Sequence, residues 1–536
     1  MKRKLLSILL LFMLPVAAFA QEATAKGLDE RINEWFTPIA NWWEGIILHN
    51  FPGTGIPTII ILLVGGALFF TLYFGFINVR RFPLSINVVR GKYDDIEGHG
   101  LEKTEIAIDG DLRDTIRDES KDGEVSHFQA LATAVSGTVG NGNIAGVALA
   151  IAVGGPGATF WMILCGLLGM STKFVECTLG VKYRDVGEDG TVYGGPMYYL
   201  TKGLKERGLA KLGKILAVIF AFLCVGASFG GGNAAQSNQA AIQIVDSLGM
   251  TGGNARTIIG IVLMVFVGII IIGGIKRIAS VTEKVVPLMA LMYILACLYI
   301  IFSNITFVDD AFGMIFSQAF SPQAGLGGLL GVLITGFRRA AFSNEAGAGS
   351  ASIAHSAVKT RYAASEGLVA LLEPFIDTVV ICTMTALVII IFNGDNTMFT
   401  YGGEGGVVTI GGEAVEGATI TARAFSEYIS FAGPFLTVAV VLFAVSTMIS
   451  WSYYGSQSWM FIFGKSRAAD LTYKILFLAF VVIGAAGDMS AVWTFSDAMI
   501  LALVFPNMIG LFLLFPKVKE ELTRYLSAIR AARSSS

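Results

Sequence analysis

Apolar residues occur along this chain in blocks of about twenty, divided by short polar stretches. One block lies at approximately 56–76, and five follow at approximately 127–153, 159–181, 212–244, 257–275 and 281–302. Another five lie at approximately 327–354, 364–392, 433–463, 471–486 and 491–515. Each is long enough to cross ~30 Å of hydrocarbon as a helix. The pattern predicts an all-α integral membrane protein with eleven spans. Two blocks are interrupted in the same way, by GTVGNGNIAG (Gly137 to Gly146) and by FSNEAGAGS (Phe342 to Ser350), and both strings contain Asn-x-Ala-Gly. In hydrocarbon, a main-chain N–H or C=O leaves its helical bond only where protein, water or a ligand receives it. Paired interruptions in two halves of a chain are a pointer to a transporter's binding site.

The ten spans after the first divide into five plus five, and a broken span opens each set, giving halves at 127–303 and 304–516. An odd number of spans per half forces the halves into opposite orientations, an inverted repeat. Ahead of them stands an extra N-terminal span within 51–78. The polar, acid-rich segment 79–126 is expected to be a cytoplasmic loop with little fold of its own.

At the start, Lys2, Arg3 and Lys4 precede an apolar run from Leu5 to Val16 and an Ala18-Phe19-Ala20 site. This predicts a cleaved signal peptide over 1–20, with an uncleaved anchor as the alternative. Segment 21–50, with Trp35, Phe36, Trp42 and Trp43 among polar residues, is expected to rest at the outer headgroups. Basic residues set the orientation. Loops expected inside carry Arg80, Arg81, Lys182, Arg184, Lys276, Arg277, Lys359, Arg361, Lys465 and Arg467, and the tail 517–536 adds more. The stretch 303–324 has none, and 393–431 has only Arg423. The expectation is a multi-pass protein of a bacterial inner membrane, its mature N-terminus periplasmic and its C-terminus cytoplasmic.

Composition narrows the function. With 54% hydrophobic and 15% charged residues, the 536-residue chain is not a soluble enzyme. Its net charge of −2 argues against a nucleic-acid partner. Five cysteines fall inside apolar runs and read as small core residues, and four scattered histidines form no metal set. No nucleophile–base arrangement is visible, so no enzymatic activity is expected.

A broken helix offers free N–H groups at one half and free carbonyls at the other, the two complements of a zwitterionic amino acid. In the first break, the amides of Asn141, Gly142 and Asn143 are expected to face a carboxylate, and the Thr138 and Gly140 carbonyls an ammonium. The alternative for the glycines is close helix packing. In the block at 212–244, Asn233 and Gln236 are three apart, on one helical face. They are substrate contacts or interhelical polar links, and Phe229 is a candidate lid. The second break adds Phe342, Ser343, Asn344 and Gly347. Arg338, Arg339 and Glu345 are costly at this depth unless paired, and Glu373 and Asp377 are their expected partners, in an internal lock or a transport role.

At GTVGNGNIAGVA, GGPGATFWM (Gly154 to Met162), STKFVECTLGVKYR (Ser171 to Arg184), GGPMYYL (Gly194 to Leu200), FSNEAGAGSASIAH (Phe342 to His355) and STMISWSYYG (Ser446 to Gly455), the chain resembles the alanine or glycine:cation symporters, also called sodium:alanine symporters. The resemblance implies a LeuT-type fold in which sodium influx drives uptake of a small neutral amino acid, alanine or glycine. It implies a sodium site of the Ser446 and Thr447 hydroxyls with the Ser136 and Val139 carbonyls; the alternative is that the hydroxyls bond back to their own helix. Trp451, one turn on, would close the cytoplasmic path. Membrane lipid is the expected surround, and oligomeric state is left open. The rival functions are a proton-coupled carrier using Glu345 or Asp377 and a non-transporting amino-acid sensor.

Overall fold

The computed structural model describes residues 28–97, 123–187, 190–250, 253–320 and 328–535. The expected signal peptide and most of the acidic segment before 126 lie outside the described residues. Every apolar block of the sequence is helical. We label these helices α1 (Thr58–Tyr73), α2 (His127–Thr138 with Gly142–Gly154), α3 (Gly157–Lys182), α4 (Ala210–Ser247), α5 (Ala255–Ile271) and α6 (Gly274–Ser303). There follow α7 (Gly328–Asn344 with Ala351–His355), α8 (Ala363–Phe392), α9 (Ala432–Phe463), α10 (Arg467–Ala486) and α11 (Met489–Ser535). Among the described residues seven helices are individually long and apolar enough to span a membrane, and the bent α2 pair makes an eighth. The protein is a helical integral membrane protein.

Local chemistry accounts for where the helices start and break. Ser126 and Gln129 form a reciprocal cap at the head of α2, each side chain bonded to the other's backbone N–H at 3.2 and 3.1 Å. The first half of α2 ends at Thr138, and the chain resumes through a π-helical turn at Gly142–Gly146, bent by 50°. In α7 the break runs from Glu345 to Ser350, where Glu345, Gly347 and Gly349 take φ of 55°, 95° and 85°. Glycine adopts that conformation freely; Glu345 does not. Two further π-helical turns, Gly230–Ala234 in α4 and Phe375–Cys382 in α8, face the breaks. Such turns re-aim the side chains they carry.

Three flanking segments differ from expectation. The segment after α1 is not structureless: short helices occupy Ile77–Arg80, Phe82–Val89 and Asp94–Glu97, and the Phe82 ring packs on Phe375 at 4.8 Å. Glu97 is buried and accepts from the Tyr525 hydroxyl at 2.6 Å. The segment past 516 is no separate tail but the continuation of α11. The stretch 393–431 carries a hairpin, Val408–Ile410 with Glu413–Val415, and a helix at Ala418–Tyr428. The N-terminal helix Leu28–Ile47 buries Phe36, Ala40 and Ile47 on the protein and leaves Trp35 and Trp42 exposed. All five cysteines are free and buried, as core residues should be.

Glycine sets the closest helix approaches, as is usual without a hydrophobic force between helices in lipid. At Gly484 of α10, an added methyl group would press on the Ala234 backbone of α4, 2.7 Å from its carbonyl oxygen. At Gly65 of α1 the same methyl group would meet nothing within 4 Å among the described residues. Gly484→Ala is therefore expected to destabilise the detergent-solubilised protein by about 1–3 kcal/mol, and Gly65→Ala to leave it unchanged. Thermal unfolding of the two variants side by side checks this.

Candidate functional site

The first break is held by side chains. The Asn143 Oδ1 accepts from the Gly140 N–H at 2.8 Å, closing the turn on itself. The Asn141 N–H donates to Gln236 Oε1 at 2.9 Å, the Asn141 amide donates to the Gln236 carbonyl at 3.2 Å, and Gln236 Nε2 donates to the Gly231 carbonyl at 3.0 Å. Thr421, from the helix in the 393–431 stretch, donates to the Ile144 carbonyl at 3.1 Å. The first break is thus stitched to the π-helical turn of α4. The Asn141 Oδ1 is buried with no hydrogen-bond partner among the described residues.

The second break is held from the opposite side. Asp377, in the π-helical turn of α8, accepts from Ser343 at 2.9 and 3.0 Å and from the Asn143 amide at 2.6 Å, so one carboxyl ties both breaks together. Asn344 donates to Thr378 at 2.9 Å. The Gly347 N–H donates to Glu176 of α3 at 2.9 Å, and Asn507 of α11 donates to the Gly347 carbonyl at 2.7 Å and to Glu176 at 2.7 Å.

Between the breaks is a cavity of about 10 Å³, lined by Gly137, Thr138 and Gly142 of α2, Gly231 and Gln236 of α4, Phe342 and Glu345 of α7, Thr447 and Trp451 of α9, and Ile500 of α11. That is room for a single water. Of the expected substrate residues, Thr138, Gly142, Gln236 and Phe342 reach it. Gly140 abuts it, since a methyl group there would collide with the Thr447 hydroxyl and lie 3.0 Å from Gln236 Oε1. Asn141 is bonded to Gln236 at its edge. Asn143, Ser343, Asn344 and Gly347 turn instead to α3, α8 and α11 and support the breaks. The Phe229 ring, a candidate lid by sequence, faces α10 and not the cavity, stacking on Phe480 at 4.5 Å and on Tyr473 at 5.7 Å. Asn233 donates to the Phe477 carbonyl at 2.6 Å, an interhelical link.

Of the residues expected around sodium, Ser136, Ser446 and Thr447 touch one another. Thr447 donates to the Ser136 carbonyl at 3.0 Å, and the Ser136 hydroxyl to the Ser446 carbonyl at 2.8 Å. Val139 caps the first half of α2 and is fully buried. The Ser446 hydroxyl bonds back to Phe443 at 3.0 Å, as the alternative reading had it, whereas Thr447 reaches across to the break. Hard oxygen donors from two helices are what a sodium ion requires.

Charges pair differently from expectation. Glu345 accepts from the Trp451 indole at 2.8 Å and from Ser350. Arg338 pairs with Asp497 of α11 at 2.7 Å and with Glu44 of the N-terminal helix, and Arg339 with Asp497. The Arg339 guanidinium also covers Phe342 and Trp493, whose rings lie 4.8 Å apart over the cavity. Glu373 pairs with Lys173 at 3.0 Å, and Asp377 with neutral donors. Sequence reasoning missed Asp497, Lys173 and Ile500, which sit in apolar blocks with no local pattern to single them out. The histidines are not all scattered: His127 bridges Glu97, at 2.6 Å, and Glu366, which also bonds His355 at 2.5 Å. Among the described residues no group of side chains forms a metal set.

The family model of the sodium:alanine symporters matches residues 46–536. The chain belongs to that family. Among its members it is similar to the sodium/alanine symporter AgcS of Methanococcus maripaludis, 39% identical over 88% of this chain and 95% of that protein. It is 34% identical to the amino-acid carrier protein AlsT of Bacillus subtilis, over 84% of this chain and 86% of that protein. It is 32% identical to the probable sodium/glutamine symporter GlnT of Bacillus subtilis, over 89% of each. The sodium:alanine symporters are transporters.

The Trp451–Glu345 bond joins α9 to the second break beneath the cavity. Trp451→Phe and Glu345→Ala are expected to be non-additive in thermal stability, with a coupling of about 1–3 kcal/mol. A double-mutant cycle on solubilised protein measures it.

Proposed function

We propose that the protein is a secondary active symporter that couples sodium influx to uptake of alanine, glycine or a similar small neutral amino acid. The observation that carries this reading is the Thr447 hydroxyl on the Ser136 carbonyl, beside a void enclosed by both helix breaks. Family membership and the likeness to AgcS and AlsT support it. GlnT marks a relative named for a larger substrate.

The fold proposed is the LeuT-type 5+5 inverted repeat with an extra N-terminal span, eleven in all. The placement of α2 and α7 at the head of each half supports it. The basic loops support a cytoplasmic C-terminus and a periplasmic mature N-terminus in the inner membrane. Sodium is held by the Ser136 and Val139 carbonyls with the Ser446 and Thr447 hydroxyls. The substrate lies against Thr138, Gly140, Asn141, Gly142, Gln236 and Phe342. Asn143, Ser343, Asn344 and Gly347 keep the breaks in shape. The amino-acid carboxylate competes for N–H groups now bonded to Gln236, and the unpartnered Asn141 Oδ1 is an acceptor in place for the ammonium.

In the cycle, sodium joins α9 to the first break, the substrate follows, and the Arg338–Asp497 and Trp451–Glu345 contacts govern the outer and inner paths. The membrane potential contributes roughly 2.3 kcal/mol per charge per 100 mV. Thr447→Ala is expected to raise the half-saturating sodium concentration for alanine uptake by about tenfold, the loss of one hydrogen-bonding oxygen, with the ranking of substrates unchanged. Uptake into proteoliposomes across a sodium series tests this; unchanged sodium activation removes Thr447 from the ion site. The same assay with choline replacing sodium at fixed pH separates sodium from proton coupling. Gly140→Leu is expected to abolish uptake in protein that still folds, since no space exists beside Thr447 and Gln236; retained uptake would take Gly140 out of the pocket.

A further inference from the structure

Four arginines from opposite ends of the chain converge on one cavity of about 290 Å³. Arg80 and Arg81 follow α1, and Arg530 and Arg533 lie near the end of α11. Pro83, Leu84 and Ile529 make the apolar part of its wall, and Asn87 and Tyr93 add polar groups. Among the described residues no carboxylate lines it. Arg533 is tied down, its guanidinium donating to the Tyr93 hydroxyl at 3.1 Å.

Several other basic side chains at this face are matched by acids: Lys182 with Glu521, Lys202 with Asp185, Lys474 with Asp470 and Lys517 with Glu520. Among the described residues, Arg80, Arg81 and Arg530 have no such match. The positive-inside rule accounts for basic residues at this face. It does not account for pairs some 450 positions apart in sequence closing on a single cavity. Four like charges at close range repel, and a multivalent anion with oxygens for bidentate guanidinium contacts relieves that repulsion.

We propose that this cavity binds the headgroup of an anionic phospholipid, best a two-phosphate headgroup such as diphosphatidylglycerol. Leu72, Phe76 and Val79, just before the arginines, are exposed and apolar. The hydrocarbon edge therefore adjoins the cavity, and acyl chains run along α1 while the phosphates enter between α1's end and α11. Basic pockets at the cytoplasmic ends of membrane helices suit such headgroups. The inference rests on the orientation proposed above only for which leaflet supplies the lipid.

The test is lipid retention by the full chain, purified substrate-free in detergent with equal diphosphatidylglycerol and phosphatidylcholine and read by native mass spectrometry. Arg81→Gln with Arg530→Gln is expected to lower diphosphatidylglycerol retention about 25-fold, at about fivefold per arginine, with phosphatidylcholine unchanged. Arg530→Lys, which keeps the charge, should retain most of the binding. Lys211→Gln with Lys214→Gln removes two exposed charges elsewhere and should change nothing. Equal loss in both double variants, or loss in neither, overturns the site. Displacement of the lipid by millimolar glycerol phosphate would identify a soluble phosphate ligand and overturn the lipid assignment. Retention needs no transport, so its failure is distinguishable from failure of sodium-driven uptake.

Discussion

The constraint on which this structure depends is that main-chain groups at the middle of a membrane need partners. The breaks in α2 and α7 strip several residues of helical bonds, and the protein supplies replacements from four helices. Gln236 and Thr421 serve the first break and Glu176 and Asn507 the second, while Asp377 ties side chains of both. Each is polar and buried in an otherwise apolar setting. Most of the polarity near the site exists to hold unwound backbone, and the space for solute is what remains between the two supports.

Buried charge is layered around that space. Above Phe342 and Trp493, Arg338 and Arg339 bond Asp497, with Glu44 reaching in from the N-terminal helix. Beneath the cavity, Glu345 bonds Trp451, and Lys173 bonds Glu373. At the far end of α2 and α7, His127 and His355 share Glu366, and Glu97 joins them to Tyr525 of α11. Each layer ties separate helices together across the interior. Breaking one partner of a buried pair is costly, so the layers resist opening together.

Much of this was readable from residue order. The helices follow the apolar blocks, both breaks fall at the Asn-x-Ala-Gly strings, and the Thr447 hydroxyl reaches the Ser136 carbonyl beside the first break. Side-chain direction near the breaks was not readable, for a definite reason. Asn233 and Gln236 would share a face on a regular helix, but Asn233 lies inside the π-helical turn Gly230–Ala234, which shifts the phase of the helix beyond it. Asn233 thus faces α10 and Gln236 faces α2. The same argument covers Phe229, at the edge of that turn, and Asn143, inside the turn of α2. The His127–Glu366–His355 cluster was hidden because its members lie far apart in the chain and meet only through tertiary packing.

The void between the breaks holds one water and no more. A solute therefore cannot lodge in a ready-made chamber; it must wedge the walls apart as it arrives. Whatever contacts it makes are offset by that wedging, so measured affinity is a remainder rather than the strength of the grip. The same tightness leaves no room for a water-filled channel between the breaks.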